Sequence, residues 1–429
     1  MSAATELRRS PDHPAETSVA AISPEFELLL ACCALPQAQR EGQLVYLTAR
    51  KCDFPSFVSL AQQQRVIPQA YQALALHSGL LRAQDLAQLR SAYQKNARTT
   101  LWLTAELVRI LRHLETHGIK AMPYKGPALA QVLYGDVTAR QFIDLDILVS
   151  LRDVSSAKDA LRKFGYNPTE ALSAREERAF ISSGYEYAFD GIASPHLVEL
   201  KWRILPHFYS VEFDTEEFFK RAEQITLAGH SFPTLRADDL LFVLCVHAAK
   251  HRWTQLSWLH DIAQLIQSRG IDWDAVWHRT HSLGVRRIIA LNLMLTHDLL
   301  GSNLPPGTRR WLENDSETRS LQEEILRMIR DQNPCETDSP AYFYLMLRLR
   351  ERWLDKIRLA WRLIGTPAIG DWSSIHLPDQ FFPLYRLVRL GRLASKAGRA
   401  LQNQVGAIRA HSAETIAFTR REPHQGRRS

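Results

Sequence analysis

The chain is predicted to be an α+β protein, with a strand-bearing middle segment (118–235) set between helical regions at 25–117 and 236–385. Apolar residues recur at helical spacing before residue 117 and again after 238. Between them lie short β-branched runs that alternate and are bounded by glycine and proline. The 429 residues, 45% hydrophobic and 23% charged, form an ordinary folded composition with ample material for a core. Collagen, a disulfide miniprotein and a wholly disordered chain are excluded.

Residues 1–24 mix Ser, Pro, Thr and charge without period and are expected to be disordered, with no apolar run of the secretory kind. Pro55 is placed to open a helix near its first turn. The longest predicted helix runs from about Arg82 to His117, with Leu101, Leu103, Leu107, Ile110, Leu111 and Leu114 on its spacing and Gly118 as its stop. A short run, Ile119–Tyr124, then leads through Lys125-Gly126 into a helical piece, Pro127–Tyr134. Ile143–Val149 reads as a strand. Residues 152–164 read as a helix ended by Gly165. Tyr185–Asp190 and His196–Trp202 read as strands joined by a turn over 191–195. A hairpin is expected to pair Gln224–Ala228 with Ser231–Leu235 through Gly229-His230. From Asp238, expected to cap a helix Asp239–His251, the pattern is helical again, including 318–332 and 340–364. Residues 386–429 are expected to form a basic amphipathic and disordered tail, its helix spanning about 384–404.

No stretch approaches about 18 uncharged apolar residues, so no membrane-spanning helix is expected. Five scattered cysteines without a C-x-x-C suit a reduced, cytoplasmic protein, and the apolar setting of Cys32-Cys33 suggests buried packing. The net charge of +7 is uneven. Ten Lys/Arg against two Glu give residues 386–429 a charge of +8, which leaves −1 for residues 1–385. Such a tail suits a solvated end or a docking element for an anionic membrane surface or nucleic acid, which would place the protein at the membrane periphery in the first case.

The chemistry concentrates in Asp144-x-Asp146. Strand alternation puts both carboxylates on one face, about 7 Å apart, with Ile143, Leu145 and Ile147 on the other. Two acids projecting together repel each other, and a divalent cation relieves this; hard oxygen ligands suit Mg²⁺ or Mn²⁺. Glu199, on a second strand with Val198, Leu200 and Trp202 opposite, could complete a metal cluster or pair with Lys201. Lys125 and Gly126, at a strand-to-helix turn, are phosphate-binding candidates, with Arg140 as another cation. His247 and His251, four apart on one helix face, either line a cleft with Asp261 or form an interhelical cluster packed by Trp253 and Trp258. The glutamate of a zinc-protease helix is absent, and no G-x-S-x-G, P-loop, dinucleotide-binding or kinase pattern is present.

These residues carry a family resemblance. Tyr124-Lys-Gly-Pro-Ala-Leu-Ala-x-x-Leu-Tyr-Gly-Asp136 followed by Arg140-x-x-x-Asp-Leu-Asp-Ile-Leu-Val149 resembles the pattern of the uncharacterised nucleotidyltransferases, within the DNA polymerase β-like nucleotidyltransferase superfamily. Val198–Arg203 resembles the strand of the third acid, 247–262 its helical block, and Pro367-x-x-x-Asp371-Trp with Leu377-Pro378 its C-terminal stretch. The resemblance covers roughly residues 25–395. It implies a small mixed sheet bearing the acids, flanked by helical domains. It also implies transfer of a nucleoside monophosphate from a nucleoside triphosphate, with release of pyrophosphate, to an acceptor left open among small molecules, proteins and RNA. Asp144, Asp146 and Glu199 would be the catalytic and metal-binding acids. Lys125-Gly126 replaces the usual glycine-serine, and Glu199 stands where Asp is common. A glycosyltransferase using the Asp-x-Asp is the first alternative, but the preceding hundred residues are helical and a third acid follows. A non-catalytic nucleotide-binding or docking module is the second, and the presence of all three acids speaks against it.

Overall fold

The computed structural model describes residues 22–398 except 36, 49–51, 192–193, 306, 309–314, 332–338, 376 and 397. The disorder expected for 1–21 and the tail beyond 398 lie outside the described residues. Within 22–24, however, Ser23 accepts from the Phe26 amide (3.2 Å) and caps a helix, Pro24–Cys33. Cys32 and Cys33 are buried in it.

The middle of the chain forms a five-stranded mixed sheet made of β1 (Ala121–Pro123), β2 (Leu145–Val149), β3 (Asn167–Pro168), β4 (Glu186–Gly191) and β5 (Ser194–Lys201), in the spatial order β1-β2-β5-β4-β3. β2 and β5 run parallel at its centre, and the other pairs are antiparallel. A separate hairpin pairs β6 (Glu223–Leu227) with β7 (His230–Thr234). Its turn needs Gly229 at φ +81°, a left-handed position that glycine adopts without Cβ strain. With helices on both sides of this segment, the α+β class stands.

Two apolar cores flank the sheet. Leu145, Ile147 and Val149 with Val198, Leu200 and Trp202 form one face, which packs on the helix Val154–Lys163 and on Leu103, Leu107, Ile110, Leu111 and Leu114. The larger core joins Met122 and Leu148 to the N-terminal helices and to helices Ala237–Lys250, Leu256–Ser268 and Arg286–Leu300. The helix Ala83–Thr116 serves both, with Leu89 in the larger core and Leu103–Leu114 in the smaller. Its 34 residues make it about 51 Å long at 1.5 Å per residue. Leu101, on the same apolar spacing, is exposed.

Several local expectations change. Ile143 lies outside β2 and is exposed, because the strand starts at Leu145. Asp238 does not cap its helix: the helix begins at Ala237, and the Asp238 carboxylate instead accepts from the Asp272 amide (3.3 Å) and pairs with Arg236. The stretch 340–364 divides into Pro340–Arg348 and Trp353–Gly365. The division is fixed by Arg350, whose Nη2 bonds the carbonyls of Ser210 and Leu283 (3.3 and 3.5 Å), and by Asp355, buried beside it. Residues 385–396 are helical, but the helix packs with Arg389 and Arg392 inward. Arg389 and Arg392 pair with the buried Asp371 (3.2 and 2.5 Å), while Leu384, Leu387 and Leu390 face outward.

Candidate active site

The parallel pairing of β2 with β5 places Asp146 directly beside Glu199 in register. Both side chains, with that of Asp144, line a cavity of about 350 Å³ on the sheet face opposite the smaller core. The helix Ala237–Lys250 closes the cavity from the other side with His247 and Lys250, and His251 follows at its end.

Lys125, the residue before the helix Gly126–Tyr134, sends Nζ to within 3.5 Å of Asp146 Oδ1 and donates to His247 Nδ1 at 3.1 Å. Gly126 has φ +54°, and a Cβ there would stand 3.1 Å from the Asp144 carbonyl oxygen. Glycine at this turn is therefore required by the close pass of the chain's own strand, and the residue also lines the cavity. Arg140 lines the cavity too. Its Nε donates to Asp261 Oδ2 (2.9 Å), and Asp261 also accepts from the Tyr134 hydroxyl (3.1 Å). Asp261 thus sits behind Arg140 as its anchor, not in the cleft wall with the histidines.

His247 and His251 meet at the cavity, 4.6 Å between ring centroids, and Trp258 packs against both. Trp253 is elsewhere, buried with its indole N–H on Asn292 (2.8 Å), so only Trp258 joins the cluster. Burial and the charge of Lys125 hold His247 well below the usual imidazole range. Burial and Lys250 bring His251 down to about 3. Both rings are neutral at pH 7, able to donate one hydrogen bond and accept another.

The sequence reading gave no site role to Glu186, Tyr185, Lys250 or Arg65, and took Lys201 only as a partner for Glu199. Lys201 follows Glu199 by two on β5 and so shares its face. Its Nζ stands 2.6 Å from Glu199 Oε2 and 3.5 Å from Asp146 Oδ1, and also bonds the Glu186 carboxylate across the β4–β5 pair. Burial disfavours the Lys201 charge, but Glu186 and Glu199 outweigh it and raise its pKa well above the usual range. Glu199 is pushed up by burial but held low overall by Lys201 and Lys125. Burial drives Asp146 the other way, up, against the same two lysines. Lys250, one turn after His247, donates to the Tyr185 hydroxyl (2.9 Å), and burial brings its ammonium down to about 8. Arg65 arrives from the N-terminal region on a turn at φ +55°. That turn is tied down where the Leu256 amide bonds Gln64 Oε1 (2.7 Å). No pattern in the sequence points to Arg65, whereas the spacing of Lys201 and Lys250 from Glu199 and His247 does point to them.

The lining therefore carries five cations (Arg65, Lys125, Arg140, Lys201, Lys250) against four carboxylates (Asp144, Asp146, Glu186, Glu199). Such a site favours a polyanion. Among the described residues, no group of three His, Cys, Asp or Glu is gathered closely enough to hold a metal ion. Lys201 stands between Asp146 and Glu199. Even so, Asp146 Oδ1 is buried without a hydrogen-bond partner.

Residues 50–301, more than half of the chain and including every residue of this cavity, match the family described as "Uncharacterised nucleotidyltransferase". The chain belongs to that family. This nucleotidyltransferase has no match among curated proteins. Among solved structures it is similar to the crystal structure of an antigenic nucleotidyltransferase-like protein from Paracoccidioides brasiliensis. The two share 12% identity over 47% of this chain and 93% of that one, with a TM-score of 0.28. Membership of the family makes the nucleotidyltransferase a transferase of nucleotidyl groups at the level of reaction class.

Proposed function

We propose that the cavity binds the triphosphate of a nucleoside triphosphate and passes the nucleoside monophosphate to an acceptor hydroxyl. A bond forms between the acceptor oxygen and the α-phosphorus, the bond from that phosphorus to the β-phosphate oxygen breaks, and pyrophosphate leaves. The observation that carries this reading is the convergence of Asp144, Asp146 and Glu199 with five cations in one cavity. Lys125, Arg65, Arg140 and Lys250 bind and orient the phosphates, since charged donors to phosphate oxygens are the strong class of hydrogen bond. Arg140 is pre-set for this by Asp261.

Asp146 Oδ1 is buried and makes no hydrogen bond, with Lys125 and Lys201 held only at ion-pair distance, which suits a hard cation; Mg²⁺ is commonly held by one or two carboxylates together with substrate phosphates. Asp144, Asp146 and Glu199 would hold Mg²⁺ or Mn²⁺, and the bound ion would neutralise charge developing on the transferred phosphate. Glu199, partly exposed and kept ionised by Lys201 and Lys125, would take the acceptor's proton. The acceptor is a small molecule, a protein or an RNA.

The test is a screen with α-labelled nucleoside triphosphates against acceptors of all three kinds, run with Asp144→Asn as control. Asp144 is only half-buried, so the variant should keep its thermal midpoint while transfer falls about a thousandfold, equal to roughly 4 kcal/mol of transition-state stabilisation. Unchanged transfer by this variant would remove Asp144 from the machinery.

A further inference from the structure

Two touching surface helices present their apolar sides to solvent. On Trp353–Gly365 the outward stripe is Trp353, Ile357, Trp361 and Ile364, with Trp353 67% and Trp361 75% exposed. Its inward side holds Asp355 and Leu359, both buried, and Arg362, whose Nη1 bonds Glu212 (2.6 Å). The helix at 385–396 repeats the inversion, with Leu387 63% exposed while Arg389 is buried against Asp371. Arg389 Nε also donates to the Leu363 carbonyl (2.5 Å), so the two helices touch. Scattered exposed apolar residues need no explanation, but a stripe at every turn of two touching helices does.

We propose that this face docks on an anionic lipid membrane. Tryptophan with leucine and isoleucine on one helix side is the composition that settles at the boundary between headgroups and acyl chains. The charge complements such a surface. Arg358 and Arg386 are exposed beside the stripes. Residues 399–429, which follow directly, add six arginines against Glu414 and Glu422. Each basic residue near an anionic leaflet contributes about 1 kcal/mol. A second copy of the chain fits less well, because each copy would bring the exposed Arg358 and Arg386 to the contact. A nucleic acid would meet apolar side chains where it needs cations.

The experiment uses the full-length protein with vesicles of phosphatidylcholine alone and of phosphatidylcholine with phosphatidylglycerol, read by co-sedimentation. Binding is expected to the second kind and to weaken with salt. Trp353→Ser/Trp361→Ser should weaken it by roughly tenfold or more through loss of buried apolar area. Its circular dichroism and triphosphate binding should not change. Brominated lipid should quench part of the wild-type tryptophan emission, and the double variant should lose that part. The proposal is overturned if the protein ignores anionic vesicles or binds them equally well after the double substitution. It is also overturned if light scattering shows a dimer that the substitution dissociates.

Discussion

Asp146 and Glu199 lie side by side on parallel strands, and one amine, Lys201 Nζ, stands 3.5 Å from the first and 2.6 Å from the second. Neither carboxylate is balanced alone. The same ammonium also bonds Glu186, so a single buried cation serves three acids from three strands.

Removing that ammonium should be costly. Lys201→Met leaves the acids with too little compensation, and breaking a buried pair by deleting one partner costs about 3–5 kcal/mol. Thermal denaturation at pH 7 should show a large drop, and the drop should shrink at acid pH, where the stranded carboxylates protonate. A midpoint that does not move would mean that the lysine is dispensable to the sheet.

Binding of the triphosphate should fall as pH rises from 7 to 9. Burial places the Lys250 ammonium at about 8, below its ordinary value, with Glu186 and Glu199 opposing that shift and Lys201 and Lys125 adding to it. Below about pH 8 the group is charged and attracts phosphate, and above it the charge is lost. Loss of one charge-assisted hydrogen bond of about 1.5–3 kcal/mol is a weakening of roughly ten- to a hundredfold. Titration calorimetry with a non-hydrolysable triphosphate should resolve the step, and Lys250→Met should abolish it. The stability linkage runs the opposite way. Between the folded value and the higher unfolded one, the unfolded chain binds more protons, so this group makes the fold more stable as pH rises through that window.

Arg65 separates backbone strain from ligand binding. Its left-handed φ of +55° costs a non-glycine residue about 1–2 kcal/mol. Arg65→Gly should therefore hold or raise the thermal midpoint while nucleotide affinity falls about tenfold through loss of a charged donor. Equal affinity in the variant would show that the guanidinium points past the phosphates.

The fold class and the three acids were legible because both rest on local periodicity. Alternation along β2 and β5 places Asp146 and Glu199 opposite the apolar core side chains, Asp144 immediately precedes β2, and both strands form near where the sequence suggests. The electrostatics were less legible. Lys201 reads in one dimension as a partner for Glu199, and only the β2–β5 and β4–β5 registers bring Asp146 and Glu186 to it. Asp261 reads as a cleft residue until Arg140, distant in sequence, is found on it. The helix at 385–396 reads as a basic amphipathic docking element with its arginines free. Asp371 takes two of those arginines inward, and a buried carboxylate is not visible in the pattern of the helix it captures.

The helix Ala83–Thr116 has a consequence for any attempt to isolate the nucleotide-binding segment. It is a single rod that supplies side chains to both cores, so a cut before Leu103 divides the larger core and a cut after it opens the smaller one. A fragment starting at residue 118 would strip Leu103, Leu107, Ile110, Leu111 and Leu114 from the back of the sheet. The strands bearing Asp146 and Glu199 would then carry an uncovered apolar reverse side. The strand-bearing segment is thus not a portable cassette.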